Sequence, residues 1–328
     1  MVLFNSKNVP KYYYHSRLIQ ARKRRRFKKT ILLGLFFLII LSLFFILSNT
    51  QKEQSTRAVK RTLEQVTSPI YPLVLKDLDI LNYAIAIKNL ETGETFYHNE
   101  NKKFEAASLY KIWAMGTAFE LISEGRLSED EELVGDRLLL DIALEKASPS
   151  ATPSPEKSEE EKKKEQEERQ VRYKTIDAIE NMITISDNYA ALLISSRSGN
   201  ANIASFLKEY ELKGSNYGKP PETTAYDLSL ILEKIYKGDV VDKEYSQRMI
   251  DILKSQRLND RIPKYLPDSV EVAHKTGELG GNKHDGGIVF SPNGDYIIVV
   301  LSETKDPSVA SEKIAKFSKS IFDYFNKE

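Results

Sequence analysis

The chain has 328 residues, with 48 Lys and Arg against 47 Asp and Glu, a net charge of +1, four His and no Cys. Without Cys, an exported domain must be held by its core rather than by disulfides, and with so few His and no H-E-x-x-H or clustered carboxylate pattern no metal site and no cofactor is expected. The small net charge hides an asymmetry: residues 1–52 carry eleven Lys and Arg and no acid, leaving 37 basic against 47 acidic residues beyond, which excludes a polyanion binder there.

Residues 1–30 include Arg22-Lys23-Arg24-Arg25-Arg26 and Lys28-Lys29, and the apolar run Ile31 to Leu47 follows at once. That run is just long enough to span a bilayer. Cations on its N-terminal flank put that end in the cytoplasm and the rest outside. A cleaved signal peptide is the competing reading, but no small-x-small site follows and the apolar core is long. The expectation is a cytoplasmic segment 1–30, a single-pass membrane anchor 31–48, a polar stalk 49–68 and an extracytoplasmic folded part 69–328. Beside a hydrophobic span, reading the basic run as a nucleic-acid patch is weak, and no nucleic-acid partner is expected.

A helix is predicted around Leu73 to Leu81, then a hairpin from the alternating Tyr83-Ala84-Ile85-Ala86-Ile87, a turn at Glu91 to Glu94, and Thr95-Phe96-Tyr97 returning. Leu109 to Glu124 is apolar almost all round, the pattern of a helix buried on most faces, and Gly125 closes it. A largely helical middle runs to about Gln256. It is interrupted at 147–170 by a Pro/Ser-rich and then Glu/Lys-rich insertion whose composition supports no core and is expected to be disordered. Strands return at Val270 to Thr276, Gly287 to Phe290 and Tyr296 to Leu301, the last after an Asn293-Gly294 turn. Residues 308–326 close the chain as an amphipathic helix. The fold class is therefore α/β (α+β): an antiparallel sheet flanked by helices and built from both ends of the chain, with an inserted all-helical lobe and the active site at the junction, preceded by one N-terminal transmembrane helix.

Three short strings carry the chemistry: Ser108-Leu109-Tyr110-Lys111, Ser186-Asp187-Asn188 and Lys275-Thr276-Gly277. The S-x-x-K pattern also fits at Ser154 and Ser302, which lie in the Pro/Ser-rich stretch and at the end of a strand; of these three, only Ser108 opens a helical segment. There the macrodipole favours developing negative charge. Lys111, one turn on, reaches the Ser108 hydroxyl. An ordinary serine needs a base beside it, and a lysine serves only if held neutral by burial and a second cation, for which Lys275 is the candidate. Taken alone, Ser108 also reads as a helix N-cap followed by a surface lysine.

As a set, with the flanks Phe104 to Ser108, Met182 to Asn188 and Thr223 to Leu228, these strings resemble the penicillin-recognising serine hydrolases, most closely the class A β-lactamases, over roughly residues 70–328. The resemblance implies an acyl-enzyme at Ser108 formed with β-lactams or D-Ala-D-Ala-type cell-wall peptides, with Lys111 as general base or relay. It implies that Ser186 shuttles a proton to the leaving nitrogen, that Asn188 holds the substrate amide and pins Lys111, and that Lys275 stabilises charge around Ser186. Thr276 would bind a substrate carboxylate, while the backbone N–H groups of Ser108 and Glu278, beside Gly277, would form the oxyanion hole. Asp187 reads as a local backbone cap.

Two departures stand out. The family's Glu, with an Asn a few residues on, activates the deacylating water; the stretch Tyr210 to Glu222 holds no E-x-x-L-N. Glu222 is the conceivable substitute, but before Thr223-Thr224 it reads better as the start of a helix, and Glu211 is weaker. The second is Glu278, where the family usually carries a small residue. A carboxylate there repels a substrate carboxylate unless Lys283 or His284 compensates or the side chain points away along the strand. The expectation is retained acylation with slowed or reorganised deacylation, closer to a D-Ala-D-Ala peptidase than to a fast β-lactamase. A Ser/His/Asp triad through His274 or His284 with Asp285 is the rival chemistry. A binding or sensor module and a non-catalytic relative are the rival functions. The sequence leaves the oligomeric state open.

Overall fold

The computed structural model describes residues 67–78, 81–144, 167–304 and 306–327. The expected anchor at 31–48, the stalk up to residue 66 and the insertion as far as residue 166 lie outside them. Among the described residues no helix is long and apolar enough to cross a membrane.

In chain order, α1 (Tyr71–Asp77) precedes β1 (Tyr83–Asn89), β2 (Thr95–His98) and β3 (Phe104–Glu105), and a 3-10 turn (Ala107–Tyr110) runs into α2 (Lys111–Ser123). Next come β4 (Glu132–Asp136), α3 (Arg137–Ala143), β5 (Gln170–Lys174), α4 (Thr175–Thr184), α5 (Asn188–Ser198) and α6 (Asn200–Glu209). The chain ends with β6 (Glu222–Thr223), α7 (Ala225–Lys237), α8 (Lys243–Lys254), β7 (Glu271–Leu279), β8 (Asn282–Phe290), β9 (Tyr296–Ser302) and α9 (Pro307–Phe325).

The unbroken apolar run Tyr296 to Leu301 becomes the central strand of a five-stranded antiparallel sheet ordered β2-β1-β9-β8-β7. Its two faces explain the run, because period-two alternation sends successive side chains to opposite cores. Ala84, Ala86, Ile297, Val299 and Leu301 face the helical lobe around Trp113 and Phe119, while Ile85, Ile87, Ile298 and Val300 pack with Val74, Ile314, Phe317 and Ile321 of α1 and α9. The sheet is thus built from both ends of the chain, as expected, and β7 is its edge beside the 3-10 turn.

Several boundaries differ from the sequence reading, and β7 runs from Glu271 to Leu279 rather than from Val270 to Thr276. Helix α1 stops at Asp77, since Leu78 is already extended. Strand β8 starts at Asn282 rather than Gly287, with the turn at Gly280 (φ +56°) and Gly281. The lobe is not all-helical: β4 pairs with β5 and β3 with β6. Gln170, read as the end of the insertion, pairs with Asp136.

Candidate active site

Ser108 is lifted out of the backbone by its neighbours. Ala107 has a left-handed φ of +45°, uncommon for a residue with a Cβ. Ala106 N–H bonds Pro221 O at 2.7 Å, Leu109 N–H bonds Ala106 O at 3.0 Å, and the Leu109 side chain is fully buried. Ser108 therefore sits, partly exposed, on a turn anchored on both sides. It is not an N-cap, since the turn has no side-chain cap and α-helix begins only at Lys111. Helix α2 is buried from Lys111 through Phe119, as the all-round apolar pattern predicted.

Lys111 is fully buried and turns to the second motif instead of binding Ser108. Its Nζ donates to Ser186 O at 2.8 Å, Ser186 Oγ at 3.1 Å and Asn188 Oδ1 at 2.8 Å. Lys275, also fully buried, donates to the same Ser186 Oγ at 3.1 Å and to Thr276 O at 2.9 Å. Two lysines and one hydroxyl form a continuous path. Burial pushes Lys111 down to about 7, against a partial upward pull from Asp187. Burial and the charge of Lys111 push Lys275 well below its ordinary value, Asp285 opposing and Arg261 adding. Burial, the first of the two causes the sequence named, dominates at both lysines, and the two amines, which share Ser186 Oγ, disfavour each other's charge. Once Lys111 is neutral, the Ser186 hydroxyl is able to reverse its bond and donate to the Lys111 lone pair, so a proton has a route along the path.

The loop that presents Ser186 is built for it. Ser186 itself has a φ of +57°, and Asp187 caps α5, accepting from Ala190 N at 3.0 Å and from the Tyr173 hydroxyl at 2.9 Å. Asp187 is the backbone cap the sequence suggested. Asn188 stands exposed at the start of α5. Strand β7 closes the other side. Gly277 is closely packed: a Cβ there would lie 3.0 Å from Leu109 Cγ and 3.2 Å from both Ala106 O and His284 Cβ. Thr276 is buried beside it.

Glu278 does not stand alone. Arg261 Nη2 donates to its Oε2 at 2.9 Å and Lys283, opposite it in the β7–β8 register, pairs with the same oxygen. Burial raises the Glu278 carboxyl, but these two cations outweigh it and hold it below the usual range. Lys283 is the compensating cation the sequence named; His284 is not. His284 is buried, its Nε2 bonded to Glu105 O at 2.9 Å and its Nδ1 accepting from Ser302 N at 3.1 Å, and burial lowers it to about 4. The rival triad fails too: His274 binds Asp285 at 2.9 Å and Asn259 at 3.0 Å, not a serine. Asp285 also accepts from Ile262 N at 3.0 Å, so the pair pins the loop that delivers Arg261. Arg261, a lone residue in a polar stretch, carried no motif by which the sequence could reveal it.

Neither candidate for the deacylating carboxylate is free in the manner the task requires. Glu222 does not start a helix: Thr224 caps α7, and Glu222 lies in β6 opposite Glu105, held by Asn216 Nδ2 at 2.7 Å and Lys103 at 3.4 Å. Glu211 is exposed and pairs with Lys213.

The sheet with its inserted lobe, and two buried lysines meeting on one serine between the three motifs, define the serine β-lactamase-like class. The model of the β-lactamase enzyme family matches residues 72–325, and the chain belongs to that family. Among solved structures it is similar to PBP-A, with 26% identity and a TM-score of 0.66 over 80% of this chain and 97% of that one. It is also similar to a PBP-A mutant captured as an acyl-enzyme complex with penicillin G, with 27% identity and a TM-score of 0.62 over 75% and 90%. A β-lactamase from Sphaerobacter thermophilus DSM 20745, 20% identical, shares the fold with a TM-score of 0.66 over 78% and 96%. No curated protein matches the chain.

Proposed function

We propose that the protein is a serine acyl-transfer enzyme that forms an acyl-enzyme at Ser108 with β-lactams or related cell-wall peptides and releases it slowly. The observation that carries this reading is the single hydroxyl of Ser186 bonded at 3.1 Å to each of two buried lysines. Neutral Lys111 takes the Ser108 proton, directly or through Ser186, and the Ser108 oxygen attacks the carbonyl carbon. The N–H groups of Ser108 and Glu278 receive the oxyanion, where preorganised donors contribute most to such steps. Ser186 then hands a proton to the departing nitrogen as the C–N bond breaks, with Lys275 balancing the charge. Asn188 holds the substrate amide and keeps Lys111 in place, and Thr276 meets the group beyond the scissile bond.

Slow release is favoured by the engagement of Glu222 with Asn216 and Lys103, which leaves no unbound carboxylate assigned to the deacylating water. The acyl-enzyme captured in the PBP-A mutant supports the acylation half for a relative of 27% identity. The remaining part of the proposal is location: residues 31–48 anchor the chain in the cell membrane, with residues 1–30 cytoplasmic and the catalytic part outside. A fluorescent penicillin tests the chemistry. Label retained on the protein for minutes supports it, whereas rapid turnover of a chromogenic cephalosporin with no lasting adduct refutes the slow-release reading.

A further inference from the structure

The cations beside Thr276 already have an anion of their own. Glu278 follows Thr276 by two residues on β7, which places both side chains on one face of the edge strand. Arg261 and Lys283 both bind the Glu278 carboxylate, and Arg261 Nε lies 3.7 Å from Asp260 Oδ1. Two cations thus meet two carboxylates, with no positive charge to spare. The Arg261 and Lys283 side chains are only 2% and 9% exposed, whereas Glu278 is 57% exposed, so the cations lie beneath a solvent-facing carboxylate. The charge on Arg261 is felt at Lys275, which makes this cluster part of the same electrostatic site as the Ser186 path.

We infer that Glu278 is a specificity-determining residue: it fills, as a built-in anion, the cation site that a substrate carboxylate would use, and so admits acyl donors whose group next to Thr276 is uncharged, an ester or an amide. The inference rests on the acyl-enzyme reading above. A free carboxylate must displace Glu278 from Arg261 or lie against a like charge, and such juxtaposition selects against the wrong partner. An uncharged group meets no such opposition.

The test measures the rate of Ser108 acylation, by intact mass, with benzylpenicillin and with its methyl ester, using the full-length protein and its Glu278→Gln variant. The wild type should acylate faster with the methyl ester than with the free acid, by at least about threefold. Glu278→Gln frees Arg261 and Lys283, and should shift the ratio toward the free acid by at least about tenfold. Lys283→Met, a second variant that removes one cation, should shift the ratio toward the ester. A wild type that reacts with the acid as fast as with the ester or faster, a ratio unmoved by Glu278→Gln, or a Lys283→Met protein that gains preference for the acid would each overturn the inference while leaving acylation standing. No adduct with either compound in any of the folded proteins would overturn the acyl-enzyme reading and this inference with it.

Discussion

Two pairs of cations flank Ser108, and they are treated in opposite ways. Lys111 and Lys275 are fully buried and share a neutral hydroxyl, with no carboxylate among the described residues bonded to either. Arg261 and Lys283 are nearly as buried but share the carboxylate of Glu278. Desolvation without an anion destabilises the charged form, so the first pair is driven toward neutral amines able to take a proton. The second pair, by contrast, is bound to an anion. Position in the fold, rather than residue type, separates a base from a clamp.

Removing the burial-primed base should produce the largest effect. Lys111→Met is expected to slow adduct formation by about a thousandfold, within the range for loss of a positioned general base. The same variant reports on stability. In the wild type the folded chain holds Lys111 near 7 while the unfolded chain holds it near the ordinary 10.5, so the unfolded state binds more protons between these values and stability rises with pH across that window. Denaturant unfolding of Lys111→Met should show that rise flattened; an unchanged slope would mean Lys111 is not depressed by the fold.

A buried base without a catalytic duty isolates the contribution of burial. His284 is held neutral, with its value lowered to about 4 chiefly by desolvation. Its stabilising contribution is complete above about 6.5 and is lost as pH falls toward 4, reaching roughly 3 kcal/mol once the folded state must protonate. His284→Gln keeps a donor and an acceptor for Glu105 O and Ser302 N. It should unfold less steeply between pH 6.5 and 4, as followed by urea midpoints. Identical midpoints in both proteins would remove burial of His284 as a source of acid lability.

The smallest expected effect concerns the one carboxylate that opposes the depression of Lys111. Asp187→Asn retains a side chain suited to capping α5 and deletes the charge that raises Lys111. The pH profile of acylation rises with deprotonation and has a midpoint near 7 in the wild type; in the variant the midpoint should move lower. A midpoint that moves up would show that the Asp187 charge does not act on Lys111.

How much of this was legible in the sequence depended on whether a signal was local. The run Tyr296 to Leu301 announced a strand buried on both faces, and the order of the three motifs placed Ser108, Lys111, Ser186, Asn188 and Lys275 around one site. The sequence reading began the strand only at Gly287, yet Asn282 to Gly286 belong to it as well, and neither Gly286 nor Gly287 has room for a Cβ: one would fall 2.7 Å from Leu228 Cδ2 and the other 2.5 Å from His274 Cβ. The bond from Lys111 to Ser186 rather than Ser108 depends on tertiary geometry that spacing does not encode. Arg261 reaches Glu278 from a loop tied, through Ile262 N, to the buried His274–Asp285 pair, 11 residues apart in sequence.

Intact-protein mass spectrometry with peptide mapping after exposure to a penicillin tests the central claim most directly. The account predicts one adduct, on the peptide bearing Ser108, and none in Ser108→Ala. An adduct mapped to another residue, or one that survives in Ser108→Ala, would contradict it.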